Sequence, residues 1–306
     1  MKKLLALIVA LILAMSLAAF AEDDENYDTG DAALDNVRNE DGIGEKELLV
    51  VSFGTSFNDS RRLTIGGIEA AIAEAIPDYS VRRAFTAQII IDHVERRDGI
   101  HIDNMAEALE RAVANGVKTL VVQPTHLMKG IEYDELCATL AEYAESFEHV
   151  VVGRPLLTSD ADFDRVADIM IDLLKEYDDG ETALVYMGHG TEHAANEVYP
   201  QMQAALAEKG ADNYYIGTVE AEPSLETVMA ALAEKGYKKV VLRDMMVVCG
   251  DHANNDMAGD EADSWKSILT AAGYDVACVL EGLGQVPEIQ QIYVEHAQEA
   301  VQTAEE

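Results

Sequence analysis

A chain of 306 residues, 49% of them hydrophobic, is long enough for two ordinary domains and apolar enough to bury a core. With 57 acidic against 22 basic residues, its formal charge of −35 argues against nucleic acid and anionic membrane surfaces as partners, since both attract basic patches. Three cysteines, Cys137, Cys249 and Cys278, are too few and too scattered for a disulfide framework or a CxxC metal site.

In chain order, Lys2 and Lys3 precede an apolar run from Leu4 to Leu17, and Ala19, Phe20 and Ala21 form an A-x-A cleavage site. Residues 1–21 therefore read as a secretory signal peptide, too short in its apolar core for a membrane span. Cleavage would leave an exported, periplasmic or extracytoplasmic protein without a stable membrane anchor. Residues 22–44 are acidic and poor in apolar side chains, which predicts a disordered leader. A strand from Glu47 runs into a turn at Gly54. Helices are predicted over 61–76, 88–96, 104–115 and 136–146, with strands over 79–85, 118–123 and 149–152. The second half alternates in the same way. Its predicted helices cover 161–176, 194–209, 225–235, 262–272 and 287–300, and its strands 183–187, 214–219, 239–248 and 274–279. Such alternation implies βαβ units with parallel sheets. The predicted fold is α/β, with an N-terminal lobe at 45–156 and a C-terminal lobe at 157–306. Each lobe is a small parallel sheet flanked by helices, and a cleft lies between them.

The halves resemble each other. The segment from Gly116 laid on that from Gly236 places Gly130 on Gly250 and Glu132 on His252; the strand from Leu48 laid on that from Leu184 places Phe53 against His189. Two histidines thus stand in Gly-bounded loops at the carboxyl ends of strands, where open α/β sheets bind ligands: His189 in GHG, and His252 in CGDHANNDM. Imidazoles suit divalent transition metals and also accept protons near neutral pH, so the pair is expected to face across the cleft and handle a metal ion. Asp256, four residues from His252, and Glu132 add carboxylates. The plainer reading is that each histidine hydrogen-bonds a turn. Cys249 reads as a buried strand-end residue, His126 as either a site wall or a core group, and His93, His101, His149, His193 and His296 as surface groups. Arg82, Arg83, Arg96, Arg97, Lys129, Arg154 and Arg243 lie near strand ends, where cations would suit a polycarboxylate ligand. No G-x-G-x-x-G or P-loop is present, so no nucleotide is expected.

The segments LVVSFGTS (49–56), RAFT (83–86), RDGI (97–100), GIEY (130–133), MGHG (187–190), GDHANNDM (250–257) and DSWK (263–266) occur in an order that resembles the anaerobic sirohydrochlorin cobaltochelatases (CbiK type), class II tetrapyrrole chelatases. The resemblance implies two lobes with four-stranded parallel sheets. It also implies that His189 and His252 are metal-handling catalytic residues, that Glu132 completes the catalytic and metal set, and that Co²⁺ enters sirohydrochlorin without ATP in cobalamin biosynthesis. Fe²⁺ and Ni²⁺ are alternative ions, haem a further partner, and a homo-oligomer the expected assembly. The alternative is a non-catalytic extracytoplasmic carrier of haem, another tetrapyrrole or metal in the same cleft.

Overall fold

The strand–helix alternation folds into two four-stranded sheets in which every hydrogen-bonded neighbour is parallel. The first contains β1 (Lys46–Ser52), β2 (Ser80–Phe85), β3 (Thr119–Pro124) and β4 (His149–Val152), in the order β2-β1-β3-β4. The second contains β5 (Thr182–Gly188), β6 (Tyr214–Thr218), β7 (Lys239–Asp244) and β8 (Asp275–Val279), in the order β6-β5-β7-β8. The shared strand order is the internal duplication seen in the sequence. This computed structural model describes residues 29–306; the expected signal peptide and residues 22–28 of the expected leader lie outside the described residues.

The central strands are apolar on both faces because helices cover both. Leu48, Leu49, Val50 and Val51 of β1 are all fully buried, as are Ala183 through Met187 of β5. The helices are α1 (Asn58–Leu63), α2 (Ile65–Ala75), α3 (Gln88–Asp98), α4 (Met105–Ala114), α5 (Ile131–Tyr143), α6 (Asp160–Leu174), α7 (Val198–Glu208), α8 (Leu225–Lys235), α9 (Trp265–Ala271) and α10 (Pro287–Glu305). Local sequence sets several boundaries. Asn104 with Glu107 and Ser159 with Asp162 form capping boxes that open α4 and α6. Left-handed Gly99 and Gly236 close α3 and α8.

Three expectations change. The first is the lobe boundary: α10 returns to pack on α2, β3 and β4 of the first lobe, so 157–306 is not a self-contained lobe. One core runs from Leu48 and Ile68 through Met170 to Tyr186 and Tyr293, and the Tyr293 hydroxyl donates to the Thr125 carbonyl at 2.8 Å. The second is the leader. Residues 31–44, read as disordered, lie against the first lobe because Asp35 answers two buried guanidiniums. Its carboxylate, 1% exposed, accepts from Arg61 at 2.7 Å and from Arg83 at 2.6 Å, while Glu69 binds the other edge of Arg83 at 2.7 Å. Burial pushes the Asp35 carboxyl upward, but the Arg83 and Arg61 contacts outweigh it and hold the group below its ordinary value. Mean composition does not register one carboxylate matched to two cations.

The third concerns β7, which ends at Asp244 rather than Val248. After the Met245 N–H donates to the Met187 carbonyl at 2.7 Å, the apolar run leaves the sheet. Val248 packs against the cluster of Ile65, Phe85 and Ile91 in the opposite lobe. The run is apolar because each residue meets a core: Met245 and Val247 the one shared by both lobes, Met246 that of its own lobe, and Val248 that of the opposite lobe. The same loop is fixed by the Cys249 N–H, which donates to Ser60 Oγ at 3.0 Å, and by Gly250, where an added Cβ would lie 3.0 Å from Thr55 Oγ1.

Candidate active site

The structure brings the two predicted histidines together, although only His189 stands at a strand end; His252 lies well past the end of β7, on the loop that has left the sheet. The ring centroids of His189 and His252 are 4.6 Å apart, with the planes nearly perpendicular at 84°. His189 directly follows β5. Gly188 before it has no room for a side chain, because a Cβ would collide with the Tyr199 ring. Gly190 after it has φ +87°, the left-handed region, and its N–H donates to the Tyr199 hydroxyl at 3.1 Å. His189 Nδ1 donates to the Gly190 carbonyl at 2.7 Å, which fixes the tautomer and leaves the Nε2 lone pair for a metal.

His252 precedes a five-residue π-helical turn, Ala253–Met257. Ala253 and Met257 are fully buried against Trp265 and Leu269, anchoring the turn by one face. The wider turn brings Asp256 back to His252, whose Nδ1 donates to Asp256 Oδ2 at 2.7 Å. This carboxylate raises the His252 pKa above its ordinary value, against the opposing effect of partial burial, with Asp251 and Glu220 adding to the rise. It also leaves Nε2 as the free coordinating atom of the neutral ring.

The third member of the cluster is Glu220, which sequence reasoning missed. His189, Glu220 and His252 each offer a ligand atom within 4.8 Å of the others, and Glu220 Oε1 lies 3.9 Å from His189 Nε2. The β5–β6 pairing continues past the named strands to place it there: the Val219 N–H donates to the Gly188 carbonyl at 3.0 Å and the Glu220 N–H to the His189 carbonyl at 2.8 Å. A signal was available, because Glu220 is the first charged residue after the predicted strand 214–219. All three side chains are partly exposed.

Glu132, expected as the third ligand, is not in that group. It sits in the first turn of α5, which begins at Ile131 rather than at 136, and its charge acts on His126 and on Tyr199 beneath the His189 loop. Two residues on, Asp134 Oδ2 reaches His193 Nε2 of the second lobe at 3.6 Å, so this turn faces the His189 loop across the cleft. Asp256 belongs to the site through His252.

Among the other candidates, His126 is partly buried: both ring nitrogens are shielded from solvent without a hydrogen-bond partner, and burial pushes its pKa down to about 4. Cys249 is buried, and burial raises its thiol pKa. All three cysteines are free. His296, expected at the surface, is 2% exposed and bonds Asp162 at 3.2 Å. Of the strand-end cations, Arg82 and Arg83 are consumed by buried carboxylates, Arg154 by Asp162 and Glu299, and Arg243 by Glu281. A second cluster, His101, Asp103 and Glu107, has comparable spacing, but Asp103 is already bridged by Arg82 at 2.8 Å and Arg111 at 2.7 Å.

Comparison with known proteins agrees with this architecture. The chain is 34% identical over 262 residues to the sirohydrochlorin cobaltochelatase of Salmonella typhimurium, covering 86% of this chain and 98% of the relative. It is 30% identical over 259 residues to sirohydrochlorin cobaltochelatase CbiKC of Nitratidesulfovibrio vulgaris, covering 84% and 91%. Among solved structures, SirB from Bacillus subtilis with Fe³⁺ superposes with a TM-score of 0.60 at 14% identity, covering 86% of this chain and 98% of that one. CbiX, described as the terminal enzyme of siroheme biosynthesis in denitrifying bacteria, gives 0.52 at 15% identity, covering 83% and 99%. These two share the fold. The profile of the cobalt chelatase (CbiK) family matches residues 46–302, and the chain belongs to that family.

Proposed function

We propose that this protein is a sirohydrochlorin cobaltochelatase, inserting Co²⁺ into sirohydrochlorin in the anaerobic route to cobalamin without nucleotide hydrolysis. The observation that carries the reading is the His189–Glu220–His252 group on the loops after β5, β6 and β7 of one lobe, facing Glu132 on the other. Its support is membership of the cobalt chelatase family and relatives that bear this name.

Insertion of a divalent ion into a tetrapyrrole displaces two N–H protons, so the site must offer a metal and accept protons on opposite sides of one plane. In this proposal His189 and His252 present neutral Nε2 atoms, and Glu220 adds one negative charge. Three ligands leave coordination positions for macrocycle nitrogens. Glu132, outside the metal group, accepts one displaced proton at a time from the first-lobe side and releases it to solvent before the second leaves. His252 must be deprotonated to bind the ion, and the Asp256 carboxylate then strengthens its donor atom. The same donor set also suits Fe²⁺ and Ni²⁺, since imidazole and carboxylate discriminate weakly among these ions. Residues 1–21, read as a signal peptide, would place the reaction outside the cytoplasmic membrane; recovery of the protein with Met1 intact would refute export.

The test is a visible-absorption time course with sirohydrochlorin and Co²⁺ beside His189→Ala and His252→Ala. The free-macrocycle bands should convert to the cobalt complex faster with the wild-type protein than without it, and both variants should fall to the uncatalysed rate. Equal rates with and without the wild-type protein would overturn the reading, and macrocycle or haem binding without metal insertion would replace it with a carrier.

A further inference from the structure

Sirohydrochlorin carries acetate and propionate groups around its rim, so a chain with formal charge −35 must meet a polyanion in its own cleft. Most basic side chains expected there are neutralised by buried or neighbouring carboxylates. Among the described residues, Arg96, Lys129, Lys235 and Lys238 are the lysines and arginines with no carboxylate within 4.0 Å. Lys235 and Lys238 flank the start of β7, at the end of the sheet away from the site. Arg96 keeps its guanidinium on His93 Nδ1 at 3.2 Å.

Lys129 differs from these in place and in surroundings. It ends the loop after β3, immediately before α5, three residues from Glu132. Its ammonium stands 5.6 Å from the centroid of the Tyr133 ring, a contact that holds the cation without neutralising it. Beside it Ile131 is 47% exposed, and Phe53, at the carboxyl end of β1 in the same lobe, is also 47% exposed. Exposed apolar groups and an unneutralised cation at the same end of the first sheet suit a flat macrocycle with a carboxylate rim.

We propose that Lys129, supported by the Tyr133 ring, anchors a peripheral carboxylate of the tetrapyrrole and so sets how the macrocycle lies over Glu132. This positioning role rests on the chelatase reading. It predicts that Lys129 acts on macrocycle binding and leaves metal capture alone.

The experiment is steady-state cobalt insertion by the full chain and its Lys129→Gln, Lys129→Arg and Lys238→Gln variants, together with macrocycle binding in the absence of metal. Lys129→Gln should raise KM for sirohydrochlorin on the order of fivefold and lower kcat as the macrocycle shifts over Glu132, with KM for Co²⁺ unchanged. Lys129→Arg should restore most of the affinity, and Lys238→Gln, which removes the same charge elsewhere, should behave as wild type. The salt dependence of macrocycle binding should also weaken in Lys129→Gln. If the wild-type protein inserts cobalt and Lys129→Gln matches Lys238→Gln in KM, the anchor is refuted while the chelatase reading stands. If the wild-type protein inserts no metal, that reading fails and the inference fails with it.

Discussion

Asp256→Asn is a near-isosteric change that tests how the π-helical turn tunes the metal site. An amide oxygen can still accept from His252 Nδ1 at the observed 2.7 Å, so ring orientation survives while the negative charge is lost. Removing the outer partner of a ligating histidine typically weakens metal binding by about 10- to 100-fold, or about 1.4–2.7 kcal/mol. The same carboxylate is the largest cause of the raised His252 pKa, so the variant should also titrate lower. The sign is fixed by the metal's need for a neutral ring. Wild-type Co²⁺ affinity should fall as pH drops through a midpoint above the ordinary imidazole value of 6.5. In Asp256→Asn the midpoint moves down while the plateau affinity at high pH is weaker. For stability the raised pKa acts the other way: the imidazolium's contribution is full below the unfolded value and is lost as pH rises through the folded one. Cobalt titration by visible absorption at pH 6 to 9, with NMR of the His252 ring, measures both effects. An unchanged plateau affinity with an unchanged midpoint would refute the coupling.

Glu220→Gln and Glu132→Gln should separate the two carboxylates. Glu220→Gln should weaken Co²⁺ binding measured without macrocycle, whereas Glu132→Gln should keep metal and macrocycle binding and lose turnover by about 100-fold or more. Equal metal affinities in the two variants would contradict the division. Asp35→Ala strands the buried guanidiniums of Arg61 and Arg83 and should destabilise the fold by about 3–5 kcal/mol in urea unfolding. Because Asp35 titrates below its ordinary value, its contribution should be present above the unfolded pKa and fade as pH falls through the folded one. Tyr293→Phe removes the donor to the Thr125 carbonyl between α10 and the first lobe and should cost about 1–3 kcal/mol; a melting temperature equal to wild type would show that the bond contributes nothing net.

The alternation of strands and helices and the duplication were legible because fully buried parallel strands, such as 48–51 and 183–187, are continuous apolar runs between amphipathic helices. The same rule placed the end of β7 too late. Met245 to Val248 are apolar because they pack on three different cores beyond the sheet, and burial within a strand and burial in a loop leave the same pattern in the chain. His189 and His252 stood out through Gly-bounded strand ends. Glu220 did not, because its one signal, a charged residue directly after a predicted strand, does not reveal that the chain runs on alongside His189. Glu132 was carried into the metal set by resemblance and by its alignment with His252, yet the helical start of α5 holds it outside that set. Asp35 and His296 were misplaced for a related reason: each is buried by specific partners, Arg61 and Arg83 for one and Asp162 for the other, and average polarity does not reveal pairing.

The most direct measurement is anomalous diffraction from crystals of the protein with Co²⁺. A cobalt peak is expected between the rings, about 2.0–2.2 Å from His189 Nε2, His252 Nε2 and a Glu220 oxygen, with Glu132 uncoordinated across the cleft. A cobalt ion ligated by Glu132 in place of Glu220, or seated at His101, Asp103 and Glu107 with the histidine pair empty, would contradict that placement.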